Sequence, residues 1–392
     1  MITIIKNVDV YSPDYLGPKD IVITGNLIEG LYDQVAIPND FIEMNVVEGE
    51  GQIAVPGFID SHVHILGGGG EGGFHTRTPE IQLTEIISSG ITTIVGCLGT
   101  DGVCRSLHAL FAKAMSLEEE GITTYLYSGS YDIPVKTITG DIKTDLLLIE
   151  KVIGIGEIAL SDHRSSQPSY QDFAKIVADT RVGGILSGKA GIVNIHIGEG
   201  NRQLEYLQRL IDETEIPVNQ MLPTHINRNK SLFNAGIAFS KCGGLIDLTT
   251  SIDNAFNEGT KISASAGLRQ LLEKEVPIEQ IQFSSDGQGS LPRFNEKKEF
   301  VGLGVGSVAS LFAEVRKAVL DEKVSLENAI KTITSNVADH LKLKRKGRLS
   351  QGKEADIVVL KKDDLKIEQV FAKGQHVVKN GNPTMSGTFE KE

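Results

Sequence analysis

Two histidines one residue apart, His62 and His64, close the apolar run "PGFIDSHVHIL". A strand turns alternate side chains to the same face, so these two imidazoles point together and can hold one metal ion. A lone H-x-H is weak evidence, and a lone histidine or aspartate at a strand end is more often a satisfied hydrogen-bonding group than a ligand. The conjunction along the chain is stronger. His196 closes "GIVNIHIG", His225 closes "MLPTHI", Asp286 closes "IQFSSDG", and Glu157 lies within "VIGIGEIAL". Of nine histidines, four therefore fall at ends of apolar runs. Four imidazoles with two carboxylates suit zinc or a similar transition metal, and could serve two ions that share a bridging carboxylate. His75, His108, His340 and His376 fall in loop, helix or terminal contexts and read as structural or solvated. His163, in "SDHRS", stays ambiguous.

Such side chains need elements that bring them to one rim. Apolar runs of four to six residues, from "GITTIVGCL" to "IQFSSDG", alternate with helical patterns such as "SLHALFAKAMSLEEEG" and "YQDFAKIVADTRVGGIL". Strand and helix at this spacing mean parallel βαβ units. About eight strands fit a closed (β/α)8 TIM-like barrel, whose chemistry sits at the C-terminal strand ends; a doubly wound sheet is the alternative. Both chain ends are rich in short β patterns, with "NG" and "KG" turn signals near the C-terminus. The expected organisation is residues 1–55 and 345–392 as the two parts of a small β-sandwich domain, and 56–344 as the barrel.

The bulk properties exclude several classes. A formal charge of −12 over 392 residues argues against nucleic acid as a partner, since phosphate binding needs clustered Lys and Arg. No apolar run approaches the roughly 20 residues of a membrane span, and the N-terminus carries no signal-peptide pattern. Three cysteines, Cys97, Cys104 and Cys242, form no close pair of the C-x-x-C type; they point to a reducing compartment without a disulfide framework, hence the cytoplasm.

Taken together, "PGFIDSHVH" after a β-rich start, single histidines after the fifth and sixth strands, an aspartate after the eighth and "GRLSQGKEADIVVL" near the end resemble the amidohydrolase superfamily over nearly the whole chain. More narrowly, "HVHILGGGGEGGFHTRTPE", "SGSYDIP", "SDHRSSQPS", "THINR" and "SSDGQGSLP" look like the bacterial isoaspartyl (β-aspartyl) dipeptidases. The resemblance implies a binuclear metallo-dipeptidase that cleaves dipeptides linked through the aspartate side chain. Two divalent ions, zinc by preference, would be held by His62, His64 and Asp286 on one side and by His196 and His225 on the other. A carboxylate from strand four would bridge them, and a bridging hydroxide would attack the amide. A bound divalent ion lowers the pKa of water from about 15.7 toward about 7, and Asp286 would act as general base and then general acid. One position departs from the best-known pattern. The family usually bridges with a carboxylated lysine, whereas here the strand offers Glu157, which is shorter but carries the same charge and the same pair of oxygens. Either the backbone comes closer or the strand is set differently.

By the same resemblance Tyr131 donates to the oxyanion, Glu71 binds the substrate α-amino group, and Arg164 and Arg228 bind its carboxylates. Ser290 lies near the amino group, and Gly69 and Thr100 make further substrate contacts. The run "GGGG" before Glu71 permits unusual backbone angles and close approach to a ligand; with no G-K-[ST] following, it is not a phosphate loop. The family often forms homo-oligomers. The rival reading is another amidohydrolase, such as a cyclic amidase or an N-acyl amino acid hydrolase, which would share the metal residues but lack the set Glu71, Tyr131, Arg164 and Arg228.

Overall fold

Each expected apolar run in the middle of the chain forms a strand in the computed structural model, which describes residues 2–37, 43–251, 261–295 and 299–390. Five short strands come first: β1 (Ile2–Tyr11), β2 (Tyr15–Thr24), β3 (Leu27–Tyr32), β4 (Met44–Glu48) and β5 (Gln52–Pro56). Strand–helix pairs then repeat: β6 (Phe58–Val63) with α1 (Leu83–Ser88), β7 (Ile91–Gly96) with α2 (Leu107–Glu119), β8 (Thr123–Ser128) with α3 (Ile142–Leu148), and β9 (Val152–Leu160) with α4 (Tyr170–Ser187). The pattern continues through β10 (Ile192–Ile197) with α5 (Glu205–Glu213), β11 (Met221–Thr224) with α6 (Lys230–Ser240), and β12 (Ile246–Thr249) with α7 (Ala264–Glu273). After β13 (Ile281–Ser284) a hairpin of β14 (Ser290–Phe294) and β15 (Phe300–Val305) precedes α8 (Ser310–Leu320), α9 (Leu326–Lys331) and α10 (Ser335–His340). The chain ends in β16 (Ile357–Lys361), β17 (Ile367–Ala372), β18 (Gln375–Lys379) and β19 (Asn382–Pro383).

Strands β6 to β11 form one parallel sheet in chain order, and β12 pairs with β13 in parallel. Two backbone bonds, Asp286 N to His62 O at 3.1 Å and His64 N to Gly287 O at 2.9 Å, tie the end of β13 to β6. The sheet is strongly curled. Its edge strands β6 and β11 lie five strand spacings apart, roughly 24 Å if flat. Yet the rings of His62 and His225, at their C-terminal ends, have centroids 5.6 Å apart. The alternation needed for this is paid in apolar side chains: Val63, Ile94, Leu126, Ile155, Val193 and Phe283 are all buried in one core with the helices.

The terminal segments form a second, largely antiparallel sheet in the order β19-β18-β17-β16-β5-β1-β2-β3, with β4 running parallel to β1. The two ends of the chain meet where β5 pairs with β16. Their inner face gathers Ile5, Val10, Ile21, Ile357 and Phe371 in a separate core. Among the described residues no helix is long and apolar enough to cross a membrane, and the three cysteines are free.

A buried ion cluster fastens the terminal sheet to the strand–helix unit. Lys346, just upstream of β16, contacts Asp356 and Glu354 and donates to Thr123 Oγ1, at the start of β8, at 2.6 Å. Its side chain is 3% exposed. Removing the lysine leaves the Asp356 carboxylate, 6% exposed, buried without its cation. Lys346→Met should therefore cost about 3 to 5 kcal/mol, measured as a lower denaturant midpoint with an unchanged far-UV spectrum.

Candidate active site

All six candidate ligands are buried and meet at the C-terminal ends of the parallel strands. His62 lies in β6 with His64 just beyond it; Glu157 lies in β9, His196 in β10, and His225 and Asp286 follow β11 and β13. Glu157 sits at the centre. Its Oε2 is 3.4 Å from His62 Nε2 and 3.6 Å from His64 Nε2. Its Oε1 is 2.7 Å from His196 Nδ1 and 3.2 Å from His225 Nε2. Asp286 Oδ1 joins the first pair, 3.1 Å from His64 Nε2 and 3.7 Å from His62 Nε2. One carboxylate thus faces two separate pairs of imidazoles.

The local backbone explains how so short a side chain reaches that position. Between the pairs Val193↔Ile155 and Ile195↔Ile158, β10 supplies one residue and β9 supplies two, Gly156 and Glu157. This is a β-bulge, which re-aims a side chain and bends the strand. Gly156 packs directly on β10: a Cβ there would stand 2.8 Å from Asn194 Cβ.

The donor set fits divalent metal. Two atoms each about 2.1 Å from one tetrahedral ion stand about 3.4 Å apart, and the contacts around Glu157 Oε2 are close to that spacing. His62 Nε2 and Glu157 Oε2 are buried with no hydrogen-bond partner among the described residues, as expected of groups whose partner is a cation. The field also calls for positive charge. Burial opposes protonation of His62 and His64, yet Cys97 and Glu157 push the first, and Cys97 and Asp286 the second, well above the ordinary histidine value. Burial pushes Glu157 up, but His62, His196 and His225 outweigh it and hold its carboxyl well below the usual range. Burial pushes the His225 imidazole down to about 3, which keeps it neutral and available as a ligand.

Outer partners aim these rings. His225 Nδ1 lies 2.6 Å from Thr249 Oγ1, which turns Nε2 toward Glu157. Asn227 locks the following turn by bonding the backbone of Thr249 on both sides, at 2.9 Å each. The Asp60 carboxylate accepts from the backbone N–H groups of His62 and Ser285, pinning β6 to β13 below the site.

Four of the expected recognition residues converge beside this cluster. Glu71 Oε1 accepts from Thr100 Oγ1 at 3.1 Å, Ser290 Oγ at 3.0 Å and Arg164 Nη1 at 3.3 Å. Tyr131 Oη is 2.8 Å from His196 Nδ1, and the Arg164 guanidinium lies over its ring. Burial, with the Glu157 charge, pushes the Tyr131 phenol well above its ordinary value, so it remains a proton donor. Arg228 follows His225 in a short turn, and its Nε is buried without a hydrogen-bond partner among the described residues. The glycine run has a reason of its own: Gly69 has φ 79°, and a Cβ on it would stand 2.3 Å from Thr76 O. The close approach required there is to the chain's own backbone.

The remaining histidines behave as their contexts implied. His75 and His108 are exposed, His340 bonds Gln282 and the Glu279 carbonyl, and His376 stacks on Phe371. Exposed His163 lies outside the cluster. Two residues at the site were not singled out by sequence reasoning. Buried Cys97 directly follows β7, with Sγ 3.9 Å from His64 Nδ1, and its sulfur groups with His62, His64 and Glu157 within 4.8 Å. Its strand-end position in "TTIVGC" was the available signal. Asp162 Oδ2 lies 2.9 Å from His196 Nε2; only its adjacency to Arg164 could have drawn attention to it.

A curled parallel sheet with a buried cluster of imidazoles and carboxylates at its strand ends defines a class of metal-competent hydrolases. A sequence model of the amidohydrolase family matches residues 53–382, and the chain belongs to that family. The solved structures similar to this chain include two β-aspartyl dipeptidases. One is a β-aspartyl dipeptidase from Fervidobacterium islandicum AW-1 in complex with β-Asp-Leu dipeptide, at 45% identity and TM-score 0.92, covering 100% of both chains. The other is a β-aspartyl dipeptidase from the same organism, at 43% identity and TM-score 0.89, again covering 100% of both chains. Among curated relatives, an adenine deaminase of Bacillus licheniformis is 36% identical over 96 residues, which spans 24% of this chain and 14% of the relative.

The centrality of Glu157 is testable. Glu157→Gln should bind at least one equivalent less zinc than the unaltered chain, by elemental analysis after desalting, with secondary structure retained.

Proposed function

We propose that this chain hydrolyses β-aspartyl dipeptides with two divalent ions, zinc by preference. The observation that carries the reading is the full-length likeness to β-aspartyl dipeptidases at 45% identity. The convergence of Glu71, Thr100, Arg164 and Ser290 beside the imidazole cluster supports it. The eight parallel strands would form a closed (β/α)8 barrel over residues 56–344. Residues 1–55 and 345–392 would form the small β-sandwich beside it, their shared core containing side chains from both ends of the chain.

His62, His64 and Asp286 would hold one ion and His196 and His225 the other, with Glu157 bridging. Bound there, the ions supply Lewis acidity and make hydroxide available from water near neutral pH. The protein does the rest. Glu71 takes the substrate's ammonium group, with Ser290 beside it, and Arg164 and Arg228 take the two carboxylates. Gly69 and Thr100 complete the wall against which the dipeptide lies. This fixes the scissile amide against the cluster, converting binding into orientation. Tyr131, kept protonated, donates to the oxygen on which charge develops. Asp286 takes the proton from the attacking water and hands it to the leaving amine.

The direct test is hydrolysis of β-Asp-Leu by the zinc-loaded protein, with dihydrouracil and α-Asp-Leu as comparisons. Turnover confined to the β-linked dipeptide is expected; preferred turnover of dihydrouracil would move the chain to the cyclic amidases. Two finer outcomes follow from the roles. Asp286→Asn should lose about 10² to 10⁴-fold in kcat, the usual range for a general acid–base. N-acetyl-β-Asp-Leu, which leaves Glu71 without its cation, should react about 10⁴-fold more slowly in kcat/KM; equal rates would remove Glu71 from recognition.

A further inference from the structure

Asp162 lies two residues beyond β9, and its buried carboxylate serves two masters. Oδ1 accepts from the backbone N–H of Arg164 at 2.8 Å and from its Nε at 3.0 Å. Oδ2 accepts from Arg164 Nη2 at 2.9 Å and lies 2.9 Å from His196 Nε2. Both oxygens accept N–H groups of Arg164, so Oδ2 stands as an acceptor toward the imidazole as well. His196 Nε2 therefore presents its N–H to Asp162. The other nitrogen, Nδ1, faces Glu157 Oε1 at 2.7 Å. Arg164 meanwhile extends Nη1 to Glu71 Oε1. An unbroken chain runs from Glu71 through Arg164, Asp162 and His196 to Glu157. Exposure of its side chains falls from 7% at Glu71 to 4%, 3% and 1% at Asp162, His196 and Glu157, with Arg164 at 12%.

We propose that Asp162 is a positioning residue: it fixes His196 in the tautomer that offers Nδ1 to the second metal, and holds the Arg164 fork for the substrate with the same carboxylate. This rests on the two-metal reading above. A histidine ligand needs its distal N–H anchored to keep ring orientation and donor strength, and loss of such an anchor typically weakens metal 10 to 100-fold. A carboxylate that only stabilised a loop would not act on one metal equivalent in preference to the other. Nor would it select a histidine tautomer.

The test uses the full chain, freed of metal by dialysis against chelator, as the unaltered protein and as Asp162→Ala. Zinc is titrated against a chromophoric chelator, and the tautomer of His196 is read by ¹⁵N-histidine NMR of the metal-free protein. The unaltered chain should take two equivalents and show His196 protonated on Nε2. Asp162→Ala should keep the first equivalent, bind the second about 10 to 100-fold more weakly, show mixed tautomers and raise KM for β-Asp-Leu. Two equivalents of unaltered affinity, or an unaltered tautomer, would overturn the proposal while leaving the two-metal reading intact. If the unaltered chain binds no zinc, that reading falls instead, and the tautomer alone still judges Asp162. Should Asp162→Ala fail to fold, Asp162→Asn replaces it. One of the two positions becomes an NH2 that cannot accept, so either the Oδ1 bonds to Arg164 or the Oδ2 contacts shared by Arg164 and His196 are lost, and second-site affinity or KM should worsen about tenfold; neither moving would overturn the proposal.

Discussion

One buried carboxylate sets the geometry of this molecule. Glu157 directs Oε2 at His62 and His64 and Oε1 at His196 and His225. A carboxylate removed from water is costly unless its charge is met at close range. Here the compensation comes from four imidazoles carried by β6, β10 and β11 or the residues just after them. Because β6 and β11 are the two edges of the same sheet, the groups can meet only if that sheet curls around its own C-terminal ends. The curvature is thus as much a requirement of the electrostatics as a product of packing Val63, Ile155 and Val193 against the helices.

Charge is graded outward from this centre. The innermost ring holds negative charge and neutral-capable imidazoles, which suits a cation. The next ring, Asp162 with Arg164 and Glu71, is an ion network whose members already satisfy one another. That pre-organisation lowers the cost of meeting a small zwitterionic substrate, because the side chains need no large reordering before they bind. It also links the ion network to the imidazole cluster: Tyr131 touches His196 while the Arg164 guanidinium lies over the Tyr131 ring. Residues in such contact couple, so the effects of substituting them do not add.

The strands were legible because apolar runs of β-branched residues alternate with helical periods, and strand ends are where such folds place their reactive groups. That rule marks His62, His64, Glu157, His196, His225 and Asp286 in the sequence alone. It did not find Asp162, because a turn residue has no periodicity to mark it and its partner lies 34 positions away. Cys97 was passed over for another reason: it was counted for redox chemistry, although its position after β7 was as informative as that of the histidines. The hairpin of β14 and β15 and the helices α3 and α6 were also unmarked, the last despite Asn229 capping its first turn. The terminal strands were readable one by one, but not their order, since that is set by pairings between distant positions, such as β5 with β16, which bring the ends together.

The position where the sequence departs from the family pattern is where the backbone departs from regularity. A glutamate is shorter than the carboxylated lysine that the family resemblance implies at this position, so its oxygens need a backbone set closer to both histidine pairs. The extra residue that β9 places opposite Asn194 bends the strand at Gly156 and Glu157, and the missing side chain of Gly156 lets β9 pack closely on β10. Reach lost in the side chain is recovered in the main chain. A lysine placed at position 157 alone would therefore not fill the same role: on this bulged strand the longer side chain would overshoot the position between the two histidine pairs, and the bulge and the glycine would have to change with it.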